Sequence, residues 1–498
     1  MTTETSIYEY ARKNSDNLPS KIAIWYKGGG ITYRDLFEKI DNLADHLYAM
    51  GVREGTVVTI TISNCPEAII SIYAVAKLGA ICGMVHPLIP VKDIISYMEY
   101  AESKYIITDQ DVVISSVTTI RLELFCEFCK PTISKAIIPS QERLATNCAV
   151  YIQSSGTTGD SKIAMLTHKA INSYIVNITQ FFDDEMSSLV GLSVAPFFHL
   201  IGFSFDIHRT LSTGAQIVLM ERWDCSEAVK LIKQYKITLL DGVPRMFQEL
   251  LENDDFSGKE ISHIRYCYMG GDNIPESLVN ELDCRVGNRV AFAVYGMTEL
   301  GAGVCTLSRI YYRDGASGYP LKNAVIRIKE PDGKYAKSGT GELICSSESM
   351  MTGYLNNVEA TEEIMFLDDG RMWIRTGDYG RVDEDGFVYF ICRLKNLIIH
   401  NGYNIVPKDV EDVIRLVPAV ENVCVFGVTT DCGTEDIIAA VVVDYDRASE
   451  ENIAIEQITE TCKKHLPKYA HPHKILIMHD FPRNTMDKID LEAMKKLV

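Results

Sequence analysis

Apolar residues recur along the first part of the chain with two alternating periods, one helical and one typical of strands. Four apolar side chains follow Thr32 at helical spacing and Gly51 comes after them, so a helix capped by Thr32 is predicted there. Residues 57–62 form a β-branched run typical of a buried strand, and residues 66–77 predict a helix with proline in its first turn. Strands that alternate with helices predict parallel sheets covered on both faces, and such sheets bind ligands at their switch points.

The pattern changes after Pro407. A short helix over residues 409–416, strands over residues 423–428 and 437–443, and a helix over residues 451–465 are predicted there. About a hundred residues of this kind are enough for a small α+β domain of their own. The chain is therefore predicted to have a large first domain and a small second one.

The composition is that of an ordinary globular protein, with 47% hydrophobic and 23% charged residues among 498. Lys and Arg number 49 against 67 Asp and Glu, and the resulting net charge of −18 disfavours nucleic acid and anionic membranes as partners. The longest apolar stretch, residues 68–85, contains a lysine and two glycines, so it predicts a helix followed by a strand and no membrane span. The N-terminus shows no signal-peptide pattern and the C-terminus no targeting address, so a cytoplasmic protein is expected.

The 14 cysteines are expected to be reduced thiols in that compartment. Cys126 and Cys129 form a lone CxxC pair. Because a zinc site needs about four ligands at matching spacing, no metal or redox role is predicted for this pair. No feature of the sequence indicates an oligomeric state.

The most informative stretch is residues 150–162, Val-Tyr-Ile-Gln-Ser-Ser-Gly-Thr-Thr-Gly-Asp-Ser-Lys. It ends a predicted strand and then offers backbone N–H groups, hydroxyls and the Lys162 ammonium to one anion, which is what binding a polyphosphate requires. It is not a Walker A loop, because Ser161 and not glycine precedes Lys162. Taken alone, such a stretch is also compatible with an ordinary surface turn rich in serine and glycine.

Residues 294–300, Val-Tyr-Gly-Met-Thr-Glu-Leu, form a second stretch with candidate chemistry. Tyr295 can stack on a base, Thr298 can donate to a phosphate, and Glu299 is a hard oxygen ligand suited to Mg²⁺. Taken alone, this stretch is also compatible with the end of a strand that carries a solvated glutamate.

Read in order, the motifs resemble those of the adenylate-forming superfamily, which includes acyl- and aryl-CoA synthetases, adenylation domains of nonribosomal peptide synthetases and bioluminescent luciferases. The loop resembles the family's Ser-Gly-Thr-Thr-Gly-x-Pro-Lys, residues 196–202 its Pro-Leu-Phe-His-x-x-Gly, residues 295–299 its Tyr-Gly-x-Thr-Glu, and residues 482–489 its Pro-Arg-Thr-x-x-Gly-Lys-Ile. The resemblance covers nearly the whole chain and implies an α/β fold. It implies a large N-terminal domain of stacked α/β sheets with a β-barrel-like part over residues 1–394, and a small mobile α+β lid over residues 395–498.

The resemblance also implies a role for each matching residue. ATP and AMP would be bound by Ser154, Ser155, Gly156, Thr157, Thr158, Gly159, Lys162, Gly270, Gly271, Asp272, Tyr295, Gly296, Met297, Asp378 and Arg393. A carboxylate is the right group at position 378, since its two oxygens fit two adjacent ribose hydroxyls. The implied catalytic residues are Lys488, Thr298, Glu299 and His199, with Glu299 holding Mg²⁺ and His199 lining the acyl pocket. Lys395 would be the hinge between the domains, and Gly402 would lie beside the pantetheine arm of CoA.

Positions 161, 163 and 487 depart from the family's pattern. Ser161 replaces the proline before the loop lysine, Ile163 replaces the glycine after it, and Asp487 replaces the glycine before the catalytic lysine. Aspartate tolerates a left-handed backbone better than most residues do, so the turn at Asp487 is expected to survive. Its carboxylate can pair with Lys488 and weaken the attraction of that lysine for ATP, which affects the rate and less so the reaction type.

The implied reaction is that of a carboxylate–CoA ligase that uses ATP, Mg²⁺ and CoA. A fatty or aromatic acid attacks the α-phosphorus to give an acyl-adenylate and pyrophosphate, and the CoA thiol then displaces AMP. One alternative is a stand-alone adenylation enzyme that loads an amino or acyl acid onto a carrier protein; such enzymes usually place an aspartate for the amino group where Leu200 and Ile201 stand here. Luciferase-like oxygenation and a catalytically silent nucleotide-binding protein are further alternatives.

Overall fold

The computed structural model describes residues 3–110, 114, 117–132, 135–154, 162–330, 333–430, 433–444, 451–483 and 489–498. The chain forms two compact units. The first consists of Met1–Ile326, Ile344–Ile374 and Asp385–Val388, and the second of Arg327–Leu343, Arg375–Glu384 and Tyr389–Val498. The predicted domain boundary after Leu394 stays a prediction.

The secondary structure follows in chain order. The α-helices are α1 (Ile7–Asn17), α2 (Tyr33–Ala49), α3 (Pro66–Lys77), α4 (Val91–Tyr100), α5 (Phe125–Phe128), α6 (His168–Ile178), α7 (Thr210–Thr213), α8 (Cys225–Tyr235), α9 (Pro244–Glu252), α10 (Glu276–Val286), α11 (Val358–Ile364), α12 (Pro407–Ile414), α13 (Glu451–His465) and α14 (Leu491–Lys495). The strands are β1 (Ile22–Tyr26), β2 (Gly29–Thr32), β3 (Val57–Thr61), β4 (Ile81–Met84), β5 (Tyr105–Thr108), β6 (Thr118–Arg121), β7 (Cys148–Gln153), β8 (Ile163–Thr167), β9 (Val190–Ser193), β10 (Gln216–Leu219), β11 (Leu239–Gly242), β12 (Tyr266–Met269), β13 (Ala291–Met297), β14 (Ala302–Thr306), β15 (Tyr319–Pro320), β16 (Val325–Lys329), β17 (Tyr335–Ala336), β18 (Gly339–Ser346), β19 (Gly353–Tyr354), β20 (Met365–Asp368), β21 (Arg371–Val382), β22 (Val388–Arg393), β23 (Ile398–His400), β24 (Tyr403–Ile405), β25 (Val420–Thr429), β26 (Glu435–Val443) and β27 (Lys474–Met478).

Two large sheets dominate the first unit. One has the strand order β15-β14-β13-β12-β11-β9-β10-β1-β2 and is parallel from β13 to β1. The other has the order β19-β8-β7-β4-β3-β5-β6 and is parallel from β7 to β6. Their central strands are almost entirely buried, which agrees with the arrangement that the alternating pattern predicts, parallel sheets covered on both faces.

A further sheet has the order β17-β16-β18-β21-β20, with β22 paired to β21. The barrel-like part of the prediction stays a prediction. In the second unit, β25, β26 and β27 form a small sheet, and α12 and α13 pack on its apolar face. The predicted fold class, a large α/β domain with stacked sheets and a small α+β domain, is confirmed.

Local chemistry explains where the predicted elements begin. The hydroxyl of Thr32 accepts a hydrogen bond from the amide of Asp35 at 3.1 Å and caps α2, and Gly51 adopts a left-handed φ of +103° after its end. Pro66 opens α3, as predicted. Among the described residues, no helix is both long enough and apolar enough to cross a bilayer.

Candidate active site

The predicted phosphate loop connects β7 to β8, which are antiparallel neighbours. At its base, the amide of Ser154 donates to the carbonyl oxygen of Lys162 at 2.8 Å, and the Ser154 hydroxyl donates to the same oxygen at 3.3 Å. The next residue, Ile163, stands where the family has glycine, and its side chain is buried at the start of β8. The other loop residues predicted to bind the nucleotide lie outside the described residues; they are Ser155, Gly156, Thr157, Thr158 and Gly159. Ser161, which stands in place of the family's proline, also lies outside them.

Glu299 stands in a short 3₁₀ turn, Thr298–Leu300, directly after β13. Its carboxylate is buried, and Oε1 accepts a hydrogen bond of 2.6 Å from the hydroxyl of Tyr354. Burial, followed by the negative charge of Glu299, raises the pKa of the Tyr354 phenol far above its usual range, so the phenol stays a proton donor. A buried carboxylate with one oxygen held in this way fits a magnesium site, because Mg²⁺ usually binds one or two protein carboxylates together with phosphate oxygens.

Tyr354 also lies beside the base of the phosphate loop. Strand β19 pairs with β8, with Tyr354 opposite Ala164, and the Lys162 ammonium lies 5.2 Å from the centre of the Tyr354 ring. Tyr354 therefore connects the loop lysine to the predicted magnesium ligand. This role of Tyr354 was not predicted, because no local pattern in the sequence shows that β19 is a neighbour of β8.

The glycines predicted to face the nucleotide are also required by packing alone. A Cβ at Gly296 would lie 1.9 Å from the carbonyl oxygen of Ala302, and a Cβ at Gly270 would lie 2.9 Å from that of Val294. Gly271 has a left-handed φ of +82°, which favours glycine independently of any ligand.

The other residues predicted around the nucleotide differ in their exposure. The Tyr295 side chain is largely buried, with 8% exposed, and Met297 and Thr298 are half-buried. Asp272 is exposed, and its carboxylate accepts a hydrogen bond of 2.7 Å from the amide of Asn273.

His199 lies half-buried in the segment that precedes a π-helix, Ile201–Arg209. Its ring is 4.7 Å from that of Phe198, and Phe198 in turn lies 4.2 Å from His86, whose pKa burial lowers. The Asn64 amide fixes this segment, since it donates to the carbonyl oxygen of Ala195 at 3.0 Å and accepts from the amide of Phe197 at 3.2 Å. Neither His86 nor Asn64 was predicted; both lie far upstream in sequence, where nothing in the local pattern marks them.

A buried group of charges lies along the π-helix. Asp206 accepts hydrogen bonds of 3.1 Å from the amides of Val194 and Ala195. Arg209 forms a two-armed ion pair with Asp241 of β11, one arm measuring 3.2 Å. Burial, and then the charge of Asp241, raises the pKa of Asp206 well above its usual range.

In the second unit, the structure brings the two predicted ribose contacts together. Arg393 Nη1 lies 3.0 Å from Oδ1 of Asp378 and donates to the carbonyl oxygen of Thr376 at 3.3 Å. The Thr376 hydroxyl accepts from the amide of Asp378 at 3.0 Å and donates to the carbonyl oxygen of Leu343 at 2.7 Å. The left-handed φ of +67° at Gly377 allows this turn within β21, so Asp378 is presented with little freedom.

The predicted hinge and pantetheine residues lie on short connections of the second unit. Lys395 lies in the 3₁₀ turn Leu394–Asn396 and is largely exposed. The loss of water around the part that is covered, followed by the charge of Arg393, lowers its pKa. Asn401 and Gly402 form a two-residue turn between β23 and β24, with φ values of +50° and +82°. This is the type I′ hairpin turn that an Asn-Gly pair favours. Lys488 and Asp487 lie outside the described residues.

Known protein families match both the N-terminal and the C-terminal part of the chain. The AMP-binding enzyme family matches residues 11–355, and the AMP-binding enzyme C-terminal domain matches residues 409–488. A 2-succinylbenzoate–CoA ligase of Bacillus cereus is 30% identical over 490 residues, and the alignment covers 96% of each chain.

Two solved structures extend the comparison to the fold. One is the o-succinylbenzoate CoA synthetase of Bacillus subtilis in complex with its acyl-adenylate intermediate, with a TM-score of 0.84 and 26% sequence identity. The superposition covers 98% of this chain and 97% of the synthetase chain. The other is ATP-bound MatB from Rhodopseudomonas palustris, with a TM-score of 0.89 and 24% sequence identity. The superposition covers 100% of this chain and 99% of the MatB chain, which shows that the two share a fold.

Proposed function

The chain belongs to the AMP-binding enzyme family, and we propose from this premise that it is an AMP-forming carboxylate–CoA ligase. The resemblance inferred from the motifs is confirmed by the family match. The enzyme converts a carboxylic acid and ATP to an acyl-adenylate and pyrophosphate, and then transfers the acyl group to the thiol of CoA. Its cofactors are ATP, Mg²⁺ and CoA.

The observation that carries the proposal is the connection of Lys162, Tyr354 and Glu299 in the first unit. An ammonium at the base of the phosphate loop and a carboxylate suited to magnesium are joined through one phenol. This arrangement supports binding of a metal-complexed polyphosphate next to the loop, because the cation and the metal ligand then face the same phosphate groups. Mg²⁺, when bound, supplies positive charge to the phosphate oxygens in the transition state.

The proposal assigns the remaining residues as the family's motifs do. Asp378 and Arg393 bind the ribose, the Gly270–Gly271 backbone and Tyr295 bind the adenine, and His199 lines the acyl pocket. Lys488 stabilises the charge that develops on the α-phosphoryl oxygens; a unit-charge pair at about 4 Å and an effective dielectric of about 20 contributes about 4 kcal/mol, or roughly three powers of ten in rate.

The second half-reaction is assigned to the C-terminal part of the chain. In this proposal the C-terminal part rotates about Lys395 after the first half-reaction. The rotation removes Lys488 from the phosphates and brings the Gly402 turn to the pantetheine arm. Gly402 has no side chain, and no other atom lies within 4 Å of the position that a Cβ would take there, which supports close approach of a ligand.

The relatives support a carboxylic acid as the class of substrate, but they do not identify which acid this chain uses. The Bacillus cereus relative is named for 2-succinylbenzoate, an aromatic keto acid with two carboxylates, and this compound is our first candidate substrate. A fatty acid, included among the sequence-based expectations, and a cytoplasmic location stay predictions. A panel of carboxylic acids scored by pyrophosphate release tests the class directly.

The reaction itself is tested by separating its two halves. Lys488→Ala is expected to abolish pyrophosphate release from ATP and acid, while thioester formation from supplied acyl-adenylate and CoA is largely retained. Lys463→Ala, on the exposed face of α13, is the matched control and should leave both halves unchanged. Equal losses in both halves for Lys488→Ala would count against the assignment.

The acceptor is tested by exchange of the thiol. The ligase proposal predicts thioester formation with free CoA and little with a pantetheinylated carrier protein. The reverse preference would favour the stand-alone adenylation enzyme instead.

A further inference from the structure

Three side chains with metal-binding groups meet in the second unit, and none of the three is assigned a role in the ligase reaction. His400 ends β23, Asp436 is the second residue of β26, and His473 precedes β27. One donor atom from each lies within 4.8 Å of the other two. Their positions in the chain are far apart, so the small sheet and not a local motif brings them together.

The protonation of His400 can be derived from its contacts. Its Nδ1 lies 2.6 Å from the carbonyl oxygen of Glu435, and because a carbonyl can only accept, Nδ1 carries the proton. The lone pair of the neutral ring is therefore on Nε2. A backbone carbonyl that holds one ring nitrogen in this way is the usual orienting contact of a metal-binding histidine. Nε2 accepts from the side-chain amide of Asn401 at 2.8 Å, and Asn401 is exposed and can turn away.

His473 and Asp436 form the open side of the cluster. Nε2 of His473 lies 3.8 Å from Oδ1 of Asp436, and the two histidine rings are 4.5 Å apart. The side chains of His473 and Asp436 are 38% and 42% exposed, so an ion has access from solvent. His473 Nδ1 accepts a hydrogen bond of 3.2 Å from the amide of Ile437.

Coordination through His473 Nε2 moves the ring proton to Nδ1 and so removes the hydrogen bond from Ile437. Because Ile437 is buried, its amide then lacks that acceptor and faces the new ring proton, so the metal–ligand bonds must outweigh this cost. A tetrahedral ion with bonds of about 2.0 to 2.2 Å needs ligand atoms roughly 3.3 Å apart. The cluster must therefore contract, and the exposed His473 and Asp436 side chains are free to move by that amount.

We propose that His400, Asp436 and His473 form a site for a divalent transition metal of the zinc class. Two imidazoles and one carboxylate are the ligands that such ions select, whereas Mg²⁺ prefers oxygen ligands alone. Three protein ligands leave a fourth position to water. The bound ion ties the β23–β24 hairpin, which carries Gly402, to β26 and to the segment before β27. The proposal does not depend on the ligase activity, because metal binding is measured without any substrate.

The test uses the full chain without a polyhistidine tag, after treatment with a chelator. Co²⁺ is added first, because tetrahedral Co²⁺ with nitrogen and oxygen ligands absorbs in the visible range, and Zn²⁺ is then added to displace it. Titration calorimetry with Zn²⁺ gives stoichiometry and affinity. One ion per chain, with visible Co²⁺ absorption that Zn²⁺ abolishes, is the expected result.

The variants separate this site from other ligands. His473→Ala and Asp436→Asn should each bind Zn²⁺ more than about tenfold more weakly, a loss of about 1.4 kcal/mol or more. His465→Ala, an exposed histidine at the end of α13, is the matched control and should bind as the unmodified chain does. Circular dichroism confirms that each variant is folded.

Three outcomes would overturn the proposal. The first is the absence of binding, and the second is equal affinity in the unmodified chain, His473→Ala and Asp436→Asn. The third is a sulfur-to-metal charge-transfer absorption with Co²⁺, which would assign the ion to thiols such as the exposed Cys126 and Cys284.

Discussion

The hydroxyl of Tyr354 donates a hydrogen bond of 2.6 Å to Oε1 of Glu299, across 55 positions of sequence. The same ring lies 5.2 Å from the Lys162 ammonium. A carboxylate in a buried site needs a partner for its charge, and here a phenol whose pKa is raised far above its usual range provides one. In the ligase, this contact fixes the direction of the carboxylate proposed to hold magnesium.

Replacement of Tyr354 by phenylalanine removes that donor and keeps the ring. A hydrogen bond to a charged group contributes about 1.5 to 3 kcal/mol, so kcat/KM for MgATP in the adenylation half-reaction should fall about 10- to 150-fold. Pyrophosphate release at a series of Mg²⁺ concentrations measures the effect, and the variant should need more Mg²⁺ for half its maximal rate.

Tyr100→Phe is the matched control for this variant. The Tyr100 hydroxyl donates to the carbonyl oxygen of Leu355 at 2.7 Å, one residue after Tyr354. Its loss removes a hydrogen bond to the same segment without touching Glu299, so near-normal rates are expected. If both variants lost activity equally, the role of Tyr354 would be to hold the segment and not the carboxylate.

The ion pair between Asp378 and Arg393 leads to a test of ribose recognition. A carboxylate can accept from both ribose hydroxyls, whereas the amide of Asp378→Asn has one accepting oxygen. We expect KM for ATP to rise about tenfold, and the penalty for 2′-deoxy- or 3′-deoxy-ATP to shrink in the variant. Steady-state kinetics with the three nucleotides measure both effects. Unchanged discrimination between ATP and its deoxy analogues would remove Asp378 from the ribose site.

Local features of the chain were predicted from sequence because their causes are local. The Thr32 cap of α2 and the proline that opens α3 each depend on interactions within a few residues. The order of the motifs then indicated the family, and with it the layered α/β fold. Element boundaries shifted by up to three residues where a strand or helix end depends on its neighbours, as for α12, which begins at Pro407, and β25, which begins at Val420.

Contacts between distant segments could not be predicted in this way. The order in which strands assemble is not encoded in the period of any one strand, so the approach of Tyr354 to Glu299 and of Asn64 to Ala195 was missed. Charged residues are expected at the surface, so no sequence rule indicated a buried Arg209.

The buried pair of Arg209 and Asp241 predicts a large loss of stability when one partner is removed. Asp241→Asn leaves a guanidinium charge inside the first unit, and breaking a buried pair in this way costs about 3 to 5 kcal/mol. The cost should be smaller if Asp206 ionises in response, because Asp241 is one of the groups that raise its pKa. Urea unfolding followed by tryptophan fluorescence is suitable, since all three tryptophans belong to the first unit.

Two further variants separate the possible reasons for that loss. The double variant Asp241→Asn with Asp206→Asn should be less stable than Asp241→Asn alone, because the replacement counter-ion is also removed. The double variant Arg209→Met with Asp241→Leu removes both charges and should be within about 1 kcal/mol of the unmodified chain or more stable. A strongly destabilised apolar pair would mean that packing, and not charge, explains the effect.

Two buried histidines predict that the first unit loses stability in acid. Ile7 donates its amide hydrogen to Nδ1 of His168, and His208 Nε2 lies 2.9 Å from the side-chain oxygen of Asn172. Burial lowers the pKa of each histidine to about 3, with the neighbouring His168 adding to the shift of His208. Both rings are therefore neutral in the folded chain, whereas in the unfolded chain they take up a proton below about pH 6.5.

The sign of the effect follows from proton uptake. Between about pH 6.5 and pH 3 the unfolded state binds more protons than the folded state, so stability present above pH 6.5 is lost as the pH falls. Each histidine contributes a slope of at most about 1.4 kcal/mol per pH unit in that range. Urea unfolding at pH 7, 6 and 5 should show that His168→Gln has a shallower slope than the unmodified chain. The exposed His465→Ala should leave the slope unchanged, and an equal change in both variants would contradict the assignment to His168.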